Sequence, residues 1–122
     1  MTNTKKLLII ATHAEENPEK ATLPFVMGTA ALSSDMEVII GVQSMGVYLA
    51  MKDYARHVHA EGFPPLEELI ESFLDMGGKI YVCGPCIRSR KIDPAELIEG
   101  ATVVNAPAFA NAMAEADAQI SY

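Results

Sequence analysis

Residues 79–91 read Lys79-Ile80-Tyr81-Val82-Cys83-Gly84-Pro85-Cys86-Ile87-Arg88-Ser89-Arg90-Lys91. An apolar run ends in a cysteine, a glycine and a proline follow, and a basic segment begins. Lys79–Cys83 reads as a strand, Gly84 allows a tight turn, and Pro85 fits the first position of a helix. A strand that turns directly into a helix is half of a β-α-β crossover, which points to an α/β fold.

The segments on either side carry the same alternation. Upstream, Pro64-Pro65 opens an amphipathic helix. Leu66, Leu69, Ile70, Phe73 and Leu74 form one apolar stripe, Glu67, Glu68 and Glu71 take the other face, and Gly77-Gly78 stops it. Lys6–Thr12 and Glu37–Val42 are apolar runs that read as strands, the first buried on both faces. Between them, Asn17-Pro18-Glu19 is a helix start, and the helix extends to about Ser33 with a kink or late start predicted at Pro24. Met45–Met51 reads as a short apolar helix and Arg56–Pro65 as a loop. Downstream, Asp93-Pro94-Ala95-Glu96 starts a short helix that Gly100 ends. Thr102–Asn105 reads as a strand, Pro107–Ala116 as a helix and Ala118–Ser121 as a last strand. The expected fold is a single α/β domain over residues 1–122: a mostly parallel five-stranded sheet with helices on both faces.

Composition limits the function. The chain has 122 residues, enough to bury roughly two-thirds of its unfolded surface. Sixteen acidic against nine basic residues give a net charge of −7, which argues against nucleic acid or an anionic membrane as partner. The run Leu7–Ala11 follows two lysines but is too short for a signal peptide, and no stretch is long enough to span a bilayer. A cytoplasmic protein with both cysteines as thiols is the expectation.

In a parallel α/β sheet, ligands gather at the carboxyl ends of the strands, where Cys83 is predicted to lie. A helix beginning just after it offers free N–H groups and a dipole that favour a thiolate, so a lowered Cys83 pKa is expected. Arg88, Arg90 and Lys91 supply three of the nine basic residues within four positions. Arg88 and Arg90 are candidate binding groups for an anionic sulfur species. His13, closing the first strand on the same sheet edge, is a candidate proton carrier.

Cys83-Gly84-Pro85-Cys86 is also the thioredoxin tetrapeptide. Thioredoxins place it after an early strand, behind a tryptophan, before a long helix and opposite a cis-proline. This chain has no tryptophan, and its motif follows two strand–helix units. Pro107 is the only downstream candidate for the proline. A zinc site needs four ligands; His57-Val58-His59 would have to complete the cysteine pair, and the spacing is not that of a zinc finger. No phosphate-binding glycine loop and no Ser/His/Asp arrangement stands out, so neither a cofactor nor a metal is expected.

Over nearly its whole length the sequence resembles the DsrE/DsrF-like proteins, the family of the TusD sulfur-relay subunit. The resemblance is carried by Asn17-Pro18-Glu19-Lys20-Ala21, Met45-Gly46-Val47-Tyr48, Phe63-Pro64-Pro65-Leu66, Gly77–Cys86 and Glu99-Gly100-Ala101. It implies a flavodoxin-like, DsrEFH-like three-layer α/β/α domain. It also implies a persulfide on the strand-terminal cysteine, here Cys83, and sulfur donor and acceptor proteins as partners. TusD-type sequences are apolar at the place of Cys86; in subgroups with C-x-x-C the second thiol resolves the first. The resemblance further implies a homo-oligomer, a trimer or hexamer, and the apolar Met45–Met51 segment is the predicted interface. The alternatives are a dithiol redox protein or sensor using Cys83 and Cys86, and a non-catalytic oligomeric subunit.

Overall fold

The computed structural model describes residues 4–122. Five strands form one sheet: β1 Lys6–Ala11, β2 Glu37–Val42, β3 Lys79–Cys83, β4 Ala101–Val104 and β5 Ala118–Ser121. The order across it is β4-β3-β2-β1-β5, and every pairing is parallel. The helices are α1 Pro18–Ser33, α2 Leu66–Asp75, α3 Gly84–Ser89 and α4 Ala106–Glu115. Short 3-10 turns occupy Ser44–Ala50, Ala55–His57 and Pro94–Glu96.

The order explains the layers. From β1 to β4 the chain steps across the sheet in one direction, and then it returns to lay β5 beside β1. Right-handed crossovers running in opposite directions put their helices on opposite faces. On one face, Ile9, Val38, Ile40, Phe73, Ile80, Val82 and Ile87 pack in a single buried cluster beneath α1 and α2. On the other, α4 alone lays Phe109 against Leu8 and Ile10. The result is the three-layer α/β/α, flavodoxin-like architecture. Phe109 reaches the sheet because Gly41 has no side chain: a Cβ there would stand 2.4 Å from the ring.

Several local expectations are corrected. α1 runs unbroken through Pro24, starting from Asn17, whose side chain accepts from Lys20 N–H at 3.2 Å. Burial of Pro24 and its neighbours on the sheet offsets the hydrogen bond that proline cannot make. The Asp93 start keeps its capping box but yields only the three-residue turn Pro94–Glu96. β4 begins one residue earlier than expected, and Asn105 caps α4 rather than ending the strand. Arg56–Pro65 is mostly loop, yet Val58 and Ala60 are buried in it.

The largest correction concerns Met45–Met51. Val47, Leu49 and Ala50 are at most 1 % exposed, because this turn packs on the carboxyl end of the sheet. An apolar segment of mixed backbone shape has no stripe to read, so its burial within the same chain was invisible in the sequence. It is not a free patch.

Candidate functional site

Strand order decides where a site can form. The connection leaving β3 goes to the α1/α2 face, where Ile87 of α3 is buried, whereas that leaving β4 goes to the α4 face. The two chains part between the carboxyl ends of β3 and β4, and such a switch point opens a crevice. Cys83 stands there, in register with Val104 of β4.

Cys83 is the residue before α3, and its sulfur acts as the helix cap: Cys86 N–H donates to Cys83 Sγ at 3.3 Å. Gly84 lets the strand turn sharply, since a Cβ on it would stand 3.2 Å from the Val104 carbonyl oxygen and 3.1 Å from Arg88 Nη1. The Arg88 guanidinium therefore lies back across the junction. Both cysteines are free thiols and partly buried.

Cys86 has a partner that sequence reading missed. Ser44 N–H, at the start of the turn that follows β2, donates to Cys86 Sγ at 3.4 Å. Ser44 has a left-handed backbone, φ 53°, uncommon for a non-glycine residue. Two residues on, Gly46 lets the same turn press on β1, where a Cβ would meet the Ala11 carbonyl oxygen at 2.1 Å. A signal was present: β2 precedes β3 in the winding, so its outgoing loop belongs beside that of β3.

The electrostatics overturn the expected acid thiol. The Cys83 pKa is pushed up, first by burial, then by the neighbouring Cys86 side chain as hydrogen-bond partner and as charge. The Cys86 N–H and the Arg88 charge pull the other way without winning. α3 has six residues, so its dipole is weaker than the sequence suggested.

Of the five residues singled out, the fold gathers Cys83, Cys86 and Arg88. Arg90 Nη1 donates to the Cys86 carbonyl oxygen at 3.2 Å and to Ser89 Oγ at 3.3 Å, holding the end of α3. His13 Nδ1 pairs with Glu16 Oε2 at 2.6 Å. It shares the sheet edge with Cys83, but β2 lies between their strands, whose axes are therefore about 10 Å apart. His57 and His59 are exposed, and among the described residues no three potential ligands gather into a metal site. Pro107, the thioredoxin-like candidate, sits in the first turn of α4, and among the described residues no peptide bond is cis. A groove of about 380 Å³ between α2 and the Ser44–Ala50 turn, lined by Leu49, Ile70, Leu74 and Ile98, includes neither cysteine.

The molecule is thus a parallel α/β protein with two free thiols at its β3/β4 switch point. The chain belongs to the DsrE/DsrF-like family, whose model matches residues 5–122. It is 35 % identical over 111 residues to the uncharacterized protein MJ0760 of Methanocaldococcus jannaschii, covering 91 % of this chain and 40 % of that protein. It is 32 % identical over 96 residues to MJ0989 of the same organism, also uncharacterized, covering 79 % of this chain and 81 % of that protein. Among solved structures, the Escherichia coli ychN protein superposes with a TM-score of 0.82 at 16 % identity, covering 98 % of this chain and all of that one (100 %). MTH1491 of Methanobacterium thermoautotrophicum, described as of unknown function, gives 0.70 at 19 %, with 98 % and 100 % coverage. At such identities the two structures speak for the fold.

Proposed function

We propose that this protein is an intracellular sulfur carrier that accepts sulfane sulfur as a persulfide on Cys83 and passes it to an acceptor protein. The observation that carries the reading is the Cys83–Cys86 pair, joined by the 3.3 Å bond from Cys86 N–H to Cys83 Sγ at the switch point. A sulfur atom at that junction is reached from the sheet edge, where another protein can dock. Membership in the DsrE/DsrF-like family supports a role related to sulfur relay. Cys83 is the acceptor, Cys86 its partner thiol, and Arg88 offsets the charge that develops on sulfur. The carrier acts in the cytoplasm, as one domain, in a homo-oligomer of three or six chains; no helix among the described residues is long and apolar enough to cross a membrane.

The test is mass spectrometry of the intact protein after incubation with polysulfide, or with thiosulfate and a sulfurtransferase. The protein should gain mass in steps of one sulfur atom, and dithiothreitol should remove the adduct. Cys83→Ser should abolish loading, whereas Cys86→Ser should retain it. If the parent never gains sulfur, or Cys83→Ser loads equally well, the carrier reading fails. A dithiol redox role is the second reading, favoured by the adjacency of the two free thiols. A non-catalytic subunit is the third, and it takes first place if neither sulfur loading nor dithiol exchange is found.

A further inference from the structure

The groove of about 380 Å³ beside α2 takes no part in the thiol chemistry. Its floor is apolar: Leu49 and Ile70 are buried there, and Leu74 and Ile98 are half-buried. Around the floor stand four exposed carboxylates, those of Asp53, Glu67, Glu71 and Glu99. The one basic residue in the lining, Lys52, donates from Nζ to the Ala95 carbonyl oxygen at 3.1 Å. Among the described residues the acid–base pairs are Lys6–Glu115 and His13–Glu16, so none of the four carboxylates has a cation at bridging distance.

α2 builds one wall through its spacing. Glu67 and Glu71 are one turn apart, and so are Ile70 and Leu74, so the helix brings an acidic row and an apolar row to the same groove. Two like charges one turn apart disfavour a helix, and a cation bound between them removes that cost. The other wall is fixed by backbone hydrogen bonds. Ile98 N–H donates to the Ala50 carbonyl oxygen at 2.8 Å, and Lys52 N–H to the Glu96 carbonyl oxygen at 2.9 Å. The groove is therefore shaped before anything binds.

We propose that this groove is a docking site for a basic segment of a partner protein, one that sets a large apolar side chain on the floor and lysine or arginine against the rim. Charge complementarity selects the occupant. An apolar floor alone accepts any hydrophobic chain, whereas four carboxylates against one ammonium repel an acidic segment and draw a basic one. A second copy of this chain is the poorer fit, because its net charge is −7. Neither cysteine lines the groove, so the docking holds whether or not Cys83 carries sulfur.

The test is an NMR titration of the whole protein with a short synthetic peptide of leucine and lysine. The backbone signals of Met51–Ala55, Glu67–Leu74 and Ile98–Glu99 should move. A peptide with glutamate for lysine, and one with serine for leucine, should each fail to bind. The double variant Glu67→Gln, Glu71→Gln should weaken binding about fivefold at low salt, the loss expected for two exposed ion pairs. Asp35→Asn with Glu37→Gln removes the same charge from exposed positions outside the groove and should change binding by less than about twofold. Equal losses in the two double variants would mean attraction to net charge alone and would overturn the proposal. So would binding of either control peptide, no binding of the lysine peptide, or signals that move elsewhere. Groove signals that move when the protein alone is concentrated would make a second copy the occupant, which also overturns it.

Discussion

Gly46 and the Ala11 carbonyl are in direct contact: a Cβ on Gly46 would stand 2.1 Å from that oxygen. The contact seats the turn after β2 on the end of β1 and sets the position from which Ser44 N–H reaches Cys86 Sγ. Gly46→Ala should therefore cost about 3 kcal/mol of stability by forcing backbone apart. Urea melts check this loss, and a variant with parental stability would show that the turn is not seated on β1.

The α4 face depends on one ring. Phe109 is buried on Gly41 and meets Tyr81 edge-on at 6.4 Å between centroids. Phe109→Ala should destabilise the protein by about 3–5 kcal/mol, the usual range for emptying such a site. Loss of less than about 1 kcal/mol in a denaturant titration would mean that α4 contributes little to holding this face.

Glu16 carries a pH signature. Burial opposes its ionisation, but the Ala14 N–H, the His13 hydrogen bond and the His13 charge together hold its carboxyl below the ordinary carboxylate range. A carboxylate depressed in the folded state adds stability above its unfolded titration range, and that stability is lost as pH falls through the folded value. His13→Ala should raise the Glu16 midpoint in a carboxyl NMR titration. An unmoved midpoint would show that the 2.6 Å His13–Glu16 contact is absent in solution.

Assembly should be visible by light scattering at micromolar concentration, with a trimer or a multiple of it expected. The surface for it cannot be Met45–Met51, which is mostly buried. Met113 at 37 %, Val103 at 38 % and Ile120 at 38 % exposure, on α4 and the two edge strands, are available instead. A monomer at that concentration would defeat the expectation.

Dithiol reduction should be weak. Supplied with dithiothreitol, the protein should reduce insulin disulfides slowly, since the Cys83 thiol is raised rather than lowered and few of its molecules are thiolate at neutral pH. Rapid reduction that needs both cysteines would put the redox reading first.

Much of the fold was legible in the chain because it rests on short-range physics. Apolar runs of strand length, the Asn17 and Asp93 caps, the Leu66–Leu74 stripe and the Gly77-Gly78 stop each declare an element through its own residues. Cys83 at a strand end before a turn was readable for the same reason. Contacts distant in sequence were not. Ser44 and Cys86 are 42 positions apart, and only the pairing of β2 with β3 brings their loops together. His13 and Arg90 looked suited to the thiols by type and position, but their side chains found nearer partners in Glu16 and in the Cys86 carbonyl.

Sequence alone thus determined that this is a parallel α/β protein with a dithiol at the end of one strand, because periodicity, capping and turn chemistry are local. The tertiary structure decided that this strand borders the switch point, that Ser44 faces Cys86, and that the Cys83 thiol is raised. Those facts depend on strand order, burial and the distances between loops. They arise only when the sheet is assembled, since hydrogen bonding and desolvation act through space and not along the chain.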